Sequence, residues 1–164
     1  MIIRAVILLF TLTLITVYAE ELKVISDNFK GDQQKGIAVF TGNVKVTKGA
    51  DELNASKVTI YTDKDKKPYK YVAEGGVSFY IVTEQQEKYR GKSQTAVYMP
   101  NEGEYQFYTK VDLIRLDDFR RVKGDKVVVN MSQGSAVAES AKDEPVVMTF
   151  TLQDKNSKQK STAK

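Results

Sequence analysis

Gly42-Asn43-Val44-Lys45-Val46-Thr47-Lys48-Gly49 sets the reading of this chain. Valine alternates with polar residues between two glycine-containing steps. A period of two places one set of side chains on a dry face and the other in water, as in a half-buried strand. The same alternation recurs in Val77-Ser78-Phe79-Tyr80-Ile81 and Tyr105-Gln106-Phe107-Tyr108. Working outward, runs rich in Val, Ile, Tyr, Phe and Thr occupy Ile37 to Lys48, Lys57 to Thr62, Tyr69 to Ala73, Val77 to Thr83, Thr95 to Met99, Glu104 to Leu116, Lys126 to Met131 and Val146 to Leu152. Apart from the N-terminal leader, no window carries an i, i+3, i+4, i+7 apolar stripe. The spacing predicts an all-β, antiparallel fold: a sandwich, a jelly roll or an open barrel.

The segments between the runs suit turns. Gly42-Asn43, Lys48-Gly49, Gly75-Gly76, Pro100-Asn101-Glu102-Gly103 and Gln133-Gly134 tolerate positive φ or fix a tight bend. Asp63 to Pro68 reads as a charged hairpin tip. Its two aspartates lack the glycine and the bidentate acid of a calcium loop. A weak internal repeat is also present. Val44-Lys45-Val46, Val77-Ser78-Phe79 and Val111-Asp112-Leu113 each precede a small residue, a polar pair and a further β run, starting at Ala55, Gly91 and Gly124. A unit that cannot bury its own face must stack on its neighbours, which predicts an elongated, solenoid-like sheet.

Composition narrows the chemistry. Cysteine and histidine are both absent, which removes thiol and imidazole nucleophiles, the usual neutral-pH general base and the common zinc, copper and iron ligands. Adjacent acids Asp51-Glu52 and Asp117-Asp118 point to opposite faces in a strand and to solvent in a turn. No Ser/Lys pair sits in a catalytic setting, so no enzymatic activity and no cofactor are expected. Residues 1–19 read as a secretory signal peptide: Arg4, an apolar run from Ala5 to Val17, and a small-x-small cleavage site after Ala19. An uncleaved inner-membrane anchor is the other reading of that segment. The formal net charge is +4. Its excess lies in Arg4 and in the lysine-rich end 153–164, which has the composition of a disordered tail. The remaining body, 20–152, is about neutral and lacks the basic face that nucleic-acid binding needs.

The run from Val39 to Gly49, followed by Leu53-Asn54-Ala55-Ser56-Lys57-Val58, resembles the start of the OstA-like domain. Ser26-Asp27, Gly31-Asp32 and Arg121-Val122-Lys123-Gly124-Asp125-Lys126-Val127 are similar to the same family pattern. That family includes the periplasmic bridge of lipopolysaccharide export (the LptA type). The resemblance implies a V-shaped antiparallel β-jelly roll whose groove holds lipid A acyl chains. It also implies head-to-tail stacking through terminal edge strands, here around Leu22 to Ser26 and Val146 to Leu152. The implied partners are lipopolysaccharide, further copies of the chain, the inner-membrane complex and the outer-membrane translocon. Within such a groove, alternation selects Phe40, Val44, Val46, Val58, Ile60, Val77, Phe79, Ile81, Tyr105, Phe107, Val111, Leu113, Val127 and Val129 as the lining. Two other roles fit these residues: an anchored inner-membrane subunit of the same pathway, and an unrelated periplasmic carrier of hydrophobic ligands with a closed, monomeric barrel.

Overall fold

A computed structural model describes residues 21–83, 85–141 and 144–151. The expected leader (1–19) and basic tail (153–164) lie outside the described residues, as does Leu152. Ten strands form: β1 (Leu22–Ile25), β2 (Asn28–Asp32), β3 (Ile37–Lys48), β4 (Asp51–Thr62), β5 (Pro68–Val82), β6 (Lys88–Met99), β7 (Glu104–Arg115), β8 (Arg121–Asn130), β9 (Ser135–Glu139) and β10 (Val147–Thr149). No helix occurs among the described residues. All pairings are antiparallel and follow chain order from β3 to β8. β1 and β2 share β3 at one edge, and β9 and β10 share β8 at the other. The fold is the expected all-β, jelly-roll-like architecture, built from one continuous sheet that folds over on itself.

The fold line lies within the strands. Register breaks between Thr41 and Val44 on β3, Glu74 and Val77 on β5, and Tyr108 and Val111 on β7. At each break two residues of the odd-numbered strand, Gly42-Asn43, Gly75-Gly76 or Thr109-Lys110, stand against one residue of its neighbour, Ser56, Gln94 or Asp125. All six doubled residues have positive φ, from 47° at Asn43 to 83° at Gly75. Two-against-one insertions bend a strand and increase its twist, and here they align across the sheet into a single corner. Glycine supplies the left-handed backbone at Gly75 without a Cβ penalty. A methyl there would meet Ser56 Cβ at 2.7 Å, and the Ser56 hydroxyl donates to the Gly75 carbonyl at 2.8 Å.

This arrangement corrects two sequence expectations. Gly42-Asn43 and Gly75-Gly76 are corners inside strands, not hairpin turns, so the expected runs Tyr69–Ala73 and Val77–Thr83 join, up to Val82, in the one strand β5. The corner also explains the repeat. Val44, Val77 and Val111 are each the first residue after a doubled step, and they are 1%, 1% and 2% exposed. On the even strands the equivalent steps are Ala55-Ser56, Ser93-Gln94 and Gly124-Asp125. The middle unit therefore aligns at Ser93, two residues beyond the expected Gly91. The true turns behave as expected: Lys66 N–H donates to the Asp63 carbonyl in the β4–β5 tip, and Gly103 N–H to the Pro100 carbonyl between β6 and β7. β2 and β9 are short edge strands that the sequence pattern does not announce.

Candidate functional site

Folding at the corner brings the inner faces of the two layers together. One layer, formed by β3, β5 and β7 before their corners and β4, β6 and β8 after theirs, contributes Phe40, Val58, Ile60, Tyr71, Ala73, Ala96, Tyr98, Tyr105, Phe107, Val127 and Val129. The other contributes Val44, Val46, Leu53, Ala55, Val77, Phe79, Ile81, Val111, Leu113 and Val122. Between them lies an apolar groove of about 420 Å³. Of the expected lining, Val46, Val58, Ile60, Phe79, Ile81, Tyr105 and Phe107 do border it. Val44, Val77, Val111, Leu113 and Val127 are sealed in the core, Val129 is partly buried against that core, and Phe40 packs on Phe29 with ring centroids 4.9 Å apart.

The groove also uses residues that the sequence reading passed over: Leu22, Leu53, Pro68, Tyr71, Ala73, Ala96, Tyr98 and Pro100. Tyr71 and Ala73 precede the corner of β5 and Ala96 and Tyr98 follow that of β6, so all four face Phe79 from the opposite layer. Ala96 and Tyr98 fall in the second run of the middle repeat unit, from which the expected lining took no residue. Their parity was nonetheless visible, because Tyr71 and Ala73 alternate as Val77 and Phe79 do. The aromatic rings form a ladder. Tyr71 and Tyr98 stack at 5.9 Å, Tyr98 and Tyr105 at 4.3 Å, Tyr105 and Phe107 at 6.3 Å, and Phe107 and Phe79 at 4.4 Å.

The interior is electrically neutral at physiological pH. Burial pushes the Tyr105 phenol well above its ordinary value, and the neighbouring Tyr98 adds to the effect. Burial also raises Tyr71. Charge is confined to the rim. Glu52 pairs with Lys45 at 2.9 Å and accepts from the Asn54 amide at 3.1 Å, and these bonds, Lys45 first, hold its carboxyl below the usual range. Asp51 Oδ1 accepts the Val82 N–H at 2.8 Å. Among the described residues, no buried side-chain polar atom lacks a hydrogen-bond partner. None forms a cluster of three acidic, histidine or cysteine side chains suited to a metal. What remains is apolar contact surface with a few phenol hydroxyls, which suits a ligand held by dispersion and the hydrophobic effect.

The edges are the second feature of interest. Among the described residues, β1 and β2 pair only with β3, and β9 and β10 only with β8. Both ends of the sheet therefore offer backbone groups to a further strand. Apolar side chains are exposed along these edges: Ile25 and Phe29 at one, Val137, Val147 and Met148 at the other.

The chain is similar to a solved structure, LptH from Pseudomonas aeruginosa, described as the LptA homologous periplasmic component of the conserved lipopolysaccharide transport device. The two share 18% sequence identity and a TM-score of 0.70, over 81% of this chain and 96% of that one. At that identity the likeness shows the fold. No curated protein sequence matches. The family described as LptA/(LptD N-terminal domain) LPS transport protein matches residues 23–135, a span that runs from β1 through the corner of every long strand to the start of β9. By that match the chain belongs to the LptA/LptD N-terminal-domain family of lipopolysaccharide transport proteins.

Proposed function

We propose that this chain holds the lipid A acyl chains of lipopolysaccharide in its groove and forms one segment of a bridge between the inner and outer membranes. The observation that carries this reading is the groove itself: a two-layered, mainly apolar and aromatic-lined channel between sheet faces, with Lys48, Asp51 and Glu52 as its charged lining residues. An acyl chain exposed to water costs about 0.8 kcal/mol per methylene. A wall of Leu53, Val58, Ile60 and Tyr71 offsets that cost without a directional bond, so neighbouring positions bind similarly and a chain can advance. Nothing in the groove hydrolyses or transfers a group, and energy for transport comes from elsewhere. The open edges around β1 and β10 join copies, and similar β folds at either membrane, by strand addition. Such a heterologous contact continues indefinitely instead of closing. The protein acts in the periplasm after removal of residues 1–19, with 20–152 as its single domain.

A photoreactive residue at Leu53, whose side chain enters the groove, is compared with one at Asn54, which faces outward. In a Gram-negative cell the Leu53 probe is expected to give a lipopolysaccharide adduct and the Asn54 probe none. Folded protein with no adduct at Leu53 or at Ile60 overturns the carrier reading.

A further inference from the structure

The groove takes up only part of the inner face. Its walls come from β1, from β3 to β6, and from Tyr105 and Phe107 of β7, and no residue of β8 borders it. Past that line the face is packed around the corner, with Val111, Leu113 and Val127 only 2%, 7% and 1% exposed, and Val122 and Val129 are partly buried against them. The boundary is the pair Phe79–Phe107, whose rings stack at 4.4 Å with 14° between their planes. The two come from opposite layers and from strands that do not pair. Phe79 follows the corner of β5, Phe107 precedes that of β7, and β6 runs between them. To make this contact Phe79 must cross β6. Gly91, its register partner there, leaves the way clear, because a methyl at that position would lie 2.2 Å from Phe79 Cζ.

We propose that Phe79 and Phe107 form a gate. This inference rests on the reading of the groove as an acyl-chain site. In the resting chain acyl groups occupy the side walled by β3 to β6, and they reach the β7–β8 half only when the two rings part. The contact suits that task. Both partners are apolar, so an acyl chain replaces a ring against either layer without stranding a buried polar group. The pair is held by ring stacking and apolar packing, and its separation breaks no hydrogen bond. While shut, it keeps the β7–β8 half packed and dry in a chain that carries no lipid.

The test uses the mature full-length chain and a long-chain fatty acid bearing a terminal diazirine, with adducts mapped by mass spectrometry. Wild-type protein is expected to be labelled at Leu53 and Ile60 and not at Leu113 or Val127. Phe79→Leu keeps an apolar side chain but removes the ring, and it should raise the share of label at Leu113 and Val127 several-fold. Phe107→Leu, made from the opposite layer, should do the same. Urea unfolding confirms that each variant is folded. Equal labelling of both halves in wild type overturns the gate, as do folded variants whose labelling still stops at the groove; either result leaves the carrier reading standing. Absence of label from the whole inner face of wild type and variants overturns both.

Discussion

Substituting alanine at Gly75 and at Gly76 separately tests the corner, because the two glycines share a backbone conformation but not an environment. Their φ values are +83° and +70°. Left-handed backbone costs an L-residue with a Cβ about 1–2 kcal/mol, so both variants lose that much. At Gly76 a methyl meets nothing within 4 Å, and the loss stops there. At Gly75 the methyl meets Ser56 Cβ at 2.7 Å and Oγ at 2.8 Å. The hydroxyl can rotate away, at the loss of its bond to the Gly75 carbonyl, about 1 kcal/mol. The Cβ cannot rotate, so β4 must shift, which adds overpacking strain. Gly75→Ala is therefore expected to destabilise by about 3–4 kcal/mol, a large part of the roughly 5–15 kcal/mol typical of a domain. Gly76→Ala should lose about 1–2 kcal/mol. Gly76→Asn should lose less, because Asn43 occupies the matching position on β3 at φ 47°. Urea unfolding followed by tyrosine fluorescence reads all three, since the chain has no tryptophan. If Gly76→Ala proves as damaging as Gly75→Ala, close approach to Ser56 does not shape the corner and the reasoning fails.

Other expectations concern single contacts. Val77→Ala removes two methyl groups from a residue 1% exposed and should lower stability by about 2–3 kcal/mol, read from the urea midpoint. Gly91→Ala puts a methyl into the path of Phe79 and should lose about 1–3 kcal/mol through overpacking, with a changed near-ultraviolet circular dichroism spectrum. The Tyr105 phenol is raised above its ordinary value of 10.0 by burial. Its share of stability is thus intact below that pH and falls above it, as the unfolded chain ionises first. Tyr105→Phe should remove up to about 1.4 kcal/mol per pH unit from the alkaline slope, measured by urea unfolding across that range. Arg121 holds the Asp112 carboxyl below its ordinary value of 3.8, so this pair stabilises above that value and fades as pH drops through the lowered one. Because both side chains are partly solvent-exposed, Asp112→Asn should lose well under 1 kcal/mol at neutral pH, and the difference should vanish in acid.

The sheet was legible because its long strands alternate cleanly. The alternating run Ile37 to Lys48 has the bounds of β3, and the repeat pattern marks Val44, Val77 and Val111 as equivalent. The corner was not legible as such. Gly-Gly and Gly-Asn signal left-handed backbone, but the same local chemistry serves a hairpin and an in-strand bend, and only the neighbouring strand decides between them. Thr109-Lys110 gave no signal at all: tertiary packing holds both residues at positive φ against their own preference. The groove was half legible. Parity chose an inward face correctly on β5 and β7, yet it cannot tell an open stretch of that face from a packed one. Ile60 borders empty space and Val127 does not, because the Phe79–Phe107 contact spans two strands that are not paired. β2 and β9 are too short and too exposed for a periodic pattern to mark them, whereas β10 falls inside the run from Val146 to Leu152.

The two-against-one step has a consequence for how such a chain can change length over evolutionary time. Each hairpin brings its own complete step, so duplicating or deleting one hairpin leaves the corner of every other strand in line. A gain of one unit would add two strands at about 4.8 Å each, and so lengthen the molecule by about 10 Å. A single-residue insertion beside Gly75, by contrast, would turn every later side chain of β5 to the wrong face. Genetic change in whole hairpins is therefore tolerated where change by one residue is not, and the reach of the protein can vary in discrete increments while its cross-section stays fixed.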